Sequence, residues 1–127
     1  MARSQPRPTD AELAILRVLW ERGASTVRQV HEALADTRDT GYTTTLKLMQ
    51  IMAEKGLVER NETARTHVYS PVAGQEQTER QLVQDLVDRA FGGSAAQLVL
   101  RALSAEGTTD AELTAIRKLI DDYREKR

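Results

Sequence analysis

The chain of 127 residues carries a formal net charge of −1 and contains no cysteine. Its length suits one compact domain, or a small domain with an appended helical segment. The absence of cysteine excludes a disulfide framework and any thiolate metal site. Because the net charge does not favour nucleic acid, a DNA-binding hypothesis has to rest on local geometry.

The N-terminal residues and the hydropathy pattern predict a cytoplasmic location without membrane insertion. The first twenty residues contain Arg3 and Arg7 but no apolar segment typical of a secretory signal. No apolar run approaches the ~20 residues that a membrane-spanning helix requires. Residues 1–8, with two prolines among polar side chains, are predicted to form a flexible arm. Its arginines are either solvated or within reach of a minor groove.

Start and stop signals predict two helices after this arm. Thr9-Asp10-Ala11-Glu12 is a capping box, followed by apolar residues at helical spacing. Gly23 is predicted to end this helix as a left-handed cap. Ser25-Thr26 then begins a shorter amphipathic helix that ends near Thr37.

A third helix and a hairpin complete the first half of the sequence. Thr43 or Thr44 is predicted to cap a helix that runs to Lys55, with Gly56 as its stop. Leu57–Arg60 and His67–Ser70 have the pattern of two short strands joined by a polar loop. Three helices followed by a hairpin predict a winged helix-turn-helix over residues 9–72.

Residues 73–127 are predicted to form a helical dimerisation domain, so the whole chain is mainly α. One helix covers Glu76 to Phe91, Ser94 caps the next, and Thr109–Glu112 repeats the capping box for the last. Their apolar faces would make a marginal core alone, and either a second copy or the winged helix can cover them. Burial against a second copy is the preferred interpretation. The residues predicted to form this interface are Leu82, Leu86, Phe91, Leu98, Leu103, Ile116 and Ile120.

The residues indicate no enzyme and no cofactor. His31 and His67 lie on separate elements, and neither has a cluster of His, Cys or carboxylate ligands around it. The sequence contains no Gly-rich phosphate loop and no nucleophile motif. We therefore predict no catalytic residue and no metal site. His31 is predicted to be solvated or packed between helices, and His67 to make a phosphate or cross-strand contact.

The third helix carries the pattern typical of DNA recognition. A helix in the major groove needs short polar side chains at its N-terminal end, so that its backbone approaches the base edges. Tyr42, Thr43 and Thr44 supply this end, while Lys47 suits guanine or phosphate and Gln50 suits adenine. Other groups would complete the interface by contacting a thymine methyl or the DNA backbone. These are Leu46 on the third helix, Ser25, Thr26 and Arg28 at the start of the second, and Arg65 near the wing tip.

Taken together, these motifs resemble the penicillinase repressor family (the BlaI/MecI type) over residues 8–123. The Leu19-Trp20 pair is similar to the end of the family's first helix. Tyr42–Thr44 and Lys55–Val58 with Val68–Pro71 are similar to its recognition helix and wing, and Phe91–Leu100 to its dimerisation helices. The resemblance implies a homodimer that binds inverted TACA/TGTA-like half-sites in double-stranded DNA. It also implies repression of β-lactamase or related genes, relieved when a membrane sensor–protease system cleaves the dimerisation domain.

The sequence departs from the family pattern at the bond that is cleaved and in the recognition helix. Arg101-Ala102 stands where the family has Asn-Phe, so relief of repression by cleavage there is not predicted. Lys47 replaces a usual threonine and Ile51 a usual arginine, so the operator sequence can differ. The C-terminal cysteine cluster of the copper-responsive branch is absent.

Two other functions fit the same pattern. A winged helix can serve as a protein-interaction module without specific DNA binding, which the near-zero charge favours. The dimer interface of a regulator can also enclose an effector pocket, although the few aromatic residues leave little volume for one. Duplex binding with a steep salt dependence distinguishes the repressor from the interaction module.

Overall fold

The computed structural model describes residues 7–105 and 107–127, in which three helices, two antiparallel strands and three further helices follow one another along the chain. The predicted arm at residues 1–8 falls mostly outside this part. The elements in chain order are α1 (Asp10–Arg22), α2 (Val27–Leu34), α3 (Tyr42–Lys55), β1 (Val58–Asn61), β2 (Val68–Pro71), α4 (Gln75–Ala90), α5 (Ala95–Ser104) and α6 (Asp110–Glu125). This order confirms the predicted winged helix followed by helices only.

The boundaries of α1 follow the predicted local signals. The Glu12 amide donates to Thr9 Oγ1 at 3.2 Å, and the Thr9 amide donates to Glu12 Oε1 at 2.9 Å, which completes the capping box. Gly23 ends the helix with φ 88° and ψ −170°. The prediction of a left-handed cap is wrong, because this ψ lies outside the left-handed helical region. The positive φ still favours glycine, because a Cβ strains this backbone conformation.

An aliphatic core joins α1, α2 and α3 to the wing formed by β1 and β2. The fully buried side chains include Leu19, Val30 and Met49, one from each helix, and Tyr69 from β2. Each buried side chain of this size contributes roughly 1.5–3 kcal/mol relative to an exposed one. The complete cluster contains Ile15, Leu16, Leu19, Val27, Val30, Leu34, Met49, Met52, Leu57, Val58 and Tyr69.

The wing is attached to the connection between α1 and α2 by a backbone bridge. Strand β1 pairs antiparallel with β2 in a register that places Val58 opposite Pro71 and Asn61 opposite Val68. Ser25 then exchanges two hydrogen bonds with Tyr69, at 2.9 and 2.8 Å, on the other side of β2. The wing is therefore bonded to the residue that precedes α2.

A buried carboxylate connects the start of α1 to the end of α3. Lys55 Nζ lies 2.8 and 3.0 Å from the two oxygens of Glu12, whose side chain is 2% exposed. Burial raises the pKa of Glu12, but hydrogen bonds from Lys55 and Thr9 and the charge of Lys55 outweigh it, so the pKa lies below the usual 4.5. The ionised carboxylate is therefore part of the folded structure.

The chain divides into two compact units, and the second is Val83–Arg127. Ser94 accepts from the Gln97 amide and Thr109 from the Glu112 amide, so both predicted caps form. The predicted second capping box is only half present, since no bond returns from the Glu112 side chain to the Thr109 amide. The division falls within α4, later than the predicted boundary after residue 72. The dimerisation role of residues 73–127 stays a prediction.

The second unit buries little apolar surface. Val87 is 5% exposed, while no residue of α5 or α6 is buried. The most exposed apolar side chains lie on α6, where Leu119 is 66% and Tyr123 is 71% exposed. No helix of the described residues is both long and apolar enough to cross a membrane.

The Glu12–Lys55 pair predicts a specific dependence of stability on pH. Replacement of Glu12 by Gln keeps the helix cap but removes the charge, and we expect the free energy of unfolding at pH 7 to fall by about 1–3 kcal/mol. Because folding lowers the pKa of Glu12, its stabilisation is present above pH 4.5 and is lost as the pH falls through the folded-state value.

Urea unfolding at a series of pH values between 7 and 3 measures this effect. The difference between wild type and Glu12→Gln is expected to shrink as the pH falls. Glu54→Gln, at an exposed position of α3, is the matched control and is expected to differ little from wild type at any pH. A difference that stayed constant with pH would exclude the ion pair as its cause.

Candidate nucleic-acid interface

The N-terminal end of α3 has no side-chain cap. Its N-cap residue is Gly41, which forms no side-chain bond, so the prediction that Thr43 or Thr44 caps the helix is wrong. Thr45 is fully buried and its hydroxyl donates to the Gly41 carbonyl oxygen at 3.2 Å. Thr43 and Thr44 are exposed, so their hydroxyl groups lie on the surface rather than in a cap.

The side chains of α3 separate into a buried and an exposed face. Thr45, Met49 and Met52 are buried at helical spacing. Lys47 and Gln50 lie on the opposite face with Thr43, and all three are exposed. This arrangement presents hydroxyl, ammonium and amide groups on one surface.

The start of α2 places Thr26 and Arg28 beside α3. Thr26 caps the helix by accepting from the Gln29 amide at 3.1 Å, and this leaves its hydroxyl hydrogen available to donate. Ser25 does not fit the predicted phosphate contact. It is 3% exposed and its hydroxyl donates to the Gly23 carbonyl oxygen at 2.9 Å, because the bridge to Tyr69 holds it inside.

A groove of about 530 Å³ lies between α2, α3 and the wing. From the predicted site it brings together Thr26, Arg28, Tyr42, Leu46, Gln50 and Arg65. The row Tyr42, Leu46 and Gln50 at successive helical turns forms the α3 wall. Leu46 was predicted to complete the DNA interface through an apolar contact to a thymine methyl. It lines the groove but also packs against the core, which limits its exposure.

Three residues of the predicted DNA-binding site lie outside this groove, and five lining residues were not part of that predicted site. Thr43, Thr44 and Lys47 are exposed on the adjoining surface of α3. The additional lining residues are Val27 of α2 and Arg60, Thr66, His67 and Tyr69 of the wing. No motif in the sequence marks these residues as part of the site. Arg60 reaches the same groove as Arg65 only because β1 pairs with β2.

Arg60 is held at the wing by two neighbours. Its guanidinium lies 2.8 Å from Glu62 Oε1, and a hydrogen bond with the Tyr69 side chain, followed by the charge of Glu62, raises its pKa. His67 Nδ1 lies 3.9 Å from the same carboxylate oxygen. Since Asn61 lies opposite Val68, Glu62 and His67 face each other across the hairpin, which agrees with the cross-strand interpretation of His67. His67 also lines the groove.

The Tyr42 ring at one end of the groove contacts two side chains of α2. The Arg28 guanidinium carbon lies 5.5 Å from the ring centroid, within the range of a cation–π contact. The His31 ring meets Tyr42 edge-on, with 5.9 Å between centroids and an angle of 86°. Of the two alternatives predicted for His31, solvated or packed between helices, these contacts favour the second.

The described residues contain no group of three or more His, Cys, Asp or Glu side chains placed to hold a metal ion. Thr26, Arg28, Arg60 and Arg65 instead supply donors and positive charge around an open groove. This chemistry suits the phosphate backbone of a nucleic acid. A helix-turn-helix with an antiparallel wing and such a groove defines the winged-helix class of DNA-binding domains.

The chain belongs to the penicillinase repressor family. The family model described as "Penicillinase repressor" matches residues 8–122. Similar curated proteins are the transcriptional regulator BlaI of Mycobacterium tuberculosis (strain CDC 1551 / Oshkosh) and the penicillinase repressor of Bacillus licheniformis. The first is 39% identical over 92 residues, covering 72% of this chain and 67% of the relative. The second is 19% identical over 122 residues, covering 96% and 95%.

The fold is also similar to that of a solved member of the family. A solution structure of Bacillus licheniformis BlaI, in monomeric form and in complex with the blaP half-operator, aligns with a TM-score of 0.51 and 23% identity. The alignment covers 57% of this chain and 89% of that structure. The predicted family and winged-helix fold are therefore confirmed, and the relatives are named as regulators and repressors rather than enzymes.

Substitution of the threonines by valine separates structural from surface roles at the start of α3. Thr45→Val removes a buried hydrogen bond and is expected to lower the free energy of unfolding by about 0.5–1.5 kcal/mol. Thr43→Val and Thr44→Val change exposed hydroxyls and are expected to stay within about 0.5 kcal/mol of wild type. Urea unfolding of the three variants makes the comparison, and a large loss in Thr43→Val or Thr44→Val would contradict the observed cap.

Proposed function

We propose that this chain is a homodimeric transcriptional repressor that binds a palindromic operator in double-stranded DNA. The observation that carries this proposal is the groove between α2, α3 and the wing, with the polar face of α3 beside it. In this proposal α3 enters the major groove and the wing follows the flanking backbone. The regulator works in the cytoplasm, where the chromosomal operator is accessible.

The exposed face of α3 supports direct reading of bases. Lys47 suits the acceptor edge of guanine, and Gln50 suits the paired donor and acceptor of adenine. Thr43 and Thr44 keep the helix N-terminus narrow and supply hydroxyl groups that bond a base or a phosphate. The methyl groups of Leu46 border the same row and suit a thymine methyl contact.

The groove walls support contacts to the DNA backbone. Arg28 and Thr26 lie on the α2 side, while Arg60 and Arg65 lie on the wing side. Phosphate contacts of this kind fix the position and orientation of a domain on DNA without reading sequence. The residues that line the groove include three arginines and no acidic residue, although the net charge of the chain is −1, and this local charge is compatible with a nucleic-acid partner.

The apolar faces of the second unit support a second copy as their partner. Of the predicted interface residues, Leu86 and Ile120 are about half exposed. The side chains of Leu82, Phe91, Leu98, Leu103 and Ile116 are only partly buried. A patch of exposed leucine, isoleucine and tyrosine side chains on α6 is typical of an interface rather than of a free surface. Association of two copies also suits an operator of two inverted half-sites.

Membership of the family supports β-lactamase or related genes as the regulated genes, with a membrane sensor–protease system as a further partner. The Arg101–Ala102 bond lies within α5, and both side chains are exposed. A helical bond has to unwind locally before it fits an extended protease cleft. Cleavage at this position would therefore need opening of α5.

Fluorescence anisotropy on a duplex with inverted TACA/TGTA half-sites tests DNA binding, with a scrambled duplex of equal length beside it. We expect binding at least ~1,000-fold tighter to the operator at physiological salt. Lys47→Ala is expected to weaken operator binding by about 10-fold or more by removing a base contact. Arg65→Ala is expected to weaken both duplexes similarly and to reduce the salt slope by about 1.

Arg17→Ala removes an exposed cation of α1 that does not line the groove, and it serves as the control for charge alone. Equal affinity of wild type and Lys47→Ala on every bound operator would contradict the assignment of α3. If the protein does not bind the duplex with TACA/TGTA half-sites specifically, selection from random duplexes supplies the operator. A folded protein that binds none of the selected duplexes would overturn the proposal and favour the protein-interaction module.

Analytical ultracentrifugation of Leu119→Asp tests the dimer. A carboxylate in the centre of an apolar interface is expected to raise the dimer dissociation constant at least ~30-fold. Thr114→Asp places the same charge on the opposite face of α6 and is expected to leave the dimer intact. A monomeric wild type, or equal dissociation of both variants, would exclude this surface as the interface.

A further inference from the structure

Tyr42 lines the groove from the N-terminal end of α3, where the helix has no side-chain cap. It is the first residue of α3 and follows Gly41, whose lack of a side chain leaves no local cap beside it. Its side chain is 41% exposed. A tyrosine at such a position loses side-chain freedom when it contacts DNA, and that ordering opposes binding. Any contact that holds the ring before binding therefore raises affinity.

Two side chains of α2 hold this ring. Arg28 lies over its face at 5.5 Å, and His31 meets its edge at 5.9 Å and 86°. Arg28 and Tyr42 line the groove, whereas His31 does not. The spacing of Arg28 and His31 places both on the same side of α2, so one short helix supplies both contacts.

The environment of His31 indicates a packing role for its ring. The residue is half-buried, and its Nδ1 is buried without a hydrogen-bond partner in the part of the chain that the structure describes. A buried polar atom without a partner is unfavourable for folding. An apolar side chain at this position would stabilise the core without leaving a buried nitrogen unpaired. We therefore attribute the histidine ring here to its contact with Tyr42.

We propose that His31 is a positioning residue for DNA recognition, which holds the Tyr42 ring at the end of the groove without touching DNA itself. This inference rests on the proposed function. The His31 edge and the Arg28 guanidinium together restrict the ring, so that the Tyr42 hydroxyl and ring edge are ordered before the duplex arrives. The planar Arg28 group keeps its outer N–H groups for a phosphate while it stacks.

The test measures operator affinity by anisotropy for His31→Ala, Tyr42→Ala and the double variant. Loss of the aromatic contact is expected to weaken binding about 3- to 10-fold in His31→Ala. The double variant is expected to bind no more than about 1.5-fold weaker than Tyr42→Ala, since His31 acts only through Tyr42. The salt slope is expected to stay at the wild-type value, because no phosphate contact is lost.

Two further variants separate positioning from simple packing. His31→Phe keeps an aromatic edge and is expected to bind within about 2-fold of wild type, whereas His31→Leu fills the space without a ring and is expected to resemble His31→Ala. Ala33→Gly weakens α2 by roughly 1 kcal/mol away from Tyr42, and serves as the control for loss of helix stability. Nuclear Overhauser contacts between the two rings in the DNA-free protein provide a readout that is independent of binding.

The inference would be overturned if His31→Ala weakened operator binding by the same factor in the wild-type and Tyr42→Ala backgrounds. Equal operator affinity of His31→Phe and His31→Leu would overturn it as well. The Lys47→Ala variant keeps the two proposals distinguishable. If Lys47→Ala weakens operator binding while His31→Ala and Tyr42→Ala do not, His31 has no positioning role and the repressor function stands. If no selected duplex binds the folded wild type, the repressor function itself fails and the inference with it.

Discussion

The position of the groove between α2, α3 and the wing depends on the backbone bridge between Ser25 and Tyr69. Their two hydrogen bonds, at 2.9 and 2.8 Å, attach the wing to the residue before α2. Thr26 follows at once as the N-cap, so the start of α2 cannot move away from the wing without breaking this bridge. The buried Tyr69 ring reinforces it, because the same residue carries the bridge and part of the core. The groove is the space left between elements that are held in this way.

The orientation of α3 is set by its buried face and by one charged contact. Met49 and Met52 bury its central turns, and Lys55 binds the Glu12 carboxylate near its C-terminal end. At its N-terminal end Thr45 is buried, but Gly41 offers no side chain and Thr43 and Thr44 are exposed. This asymmetry suits the proposed function, in which α3 would enter the major groove with the polar groups of its N-terminal end uncommitted while its other end is held.

Local signals made most of the fold predictable. Caps such as Thr9 and Ser94, and the glycine stop at Gly56, act within one helical turn, so the boundaries that they set agree closely with expectation. Helix α2 has no glycine at its C-cap, which is Ala35, and it ends at Leu34 instead of near the predicted Thr37. The strand boundaries differ by about one residue because pairing, rather than propensity, decides where a short strand ends. The cap of α3 was wrong for a related reason. Three consecutive threonines all suit a cap, and only packing of Thr45 into the core selects Gly41 instead.

The sequence by itself determined the order of elements, the polar face of α3 with Lys47 and the family, because each depends on residues near one another in the chain. The tertiary structure decided which distant residues meet. It brought Arg60 and His67 of the wing to the groove, placed His31 against Tyr42, and withdrew Ser25 into a backbone bridge. Such contacts between distant residues depend on strand pairing and on how helices pack, and the periodicity within one element carries no information about them.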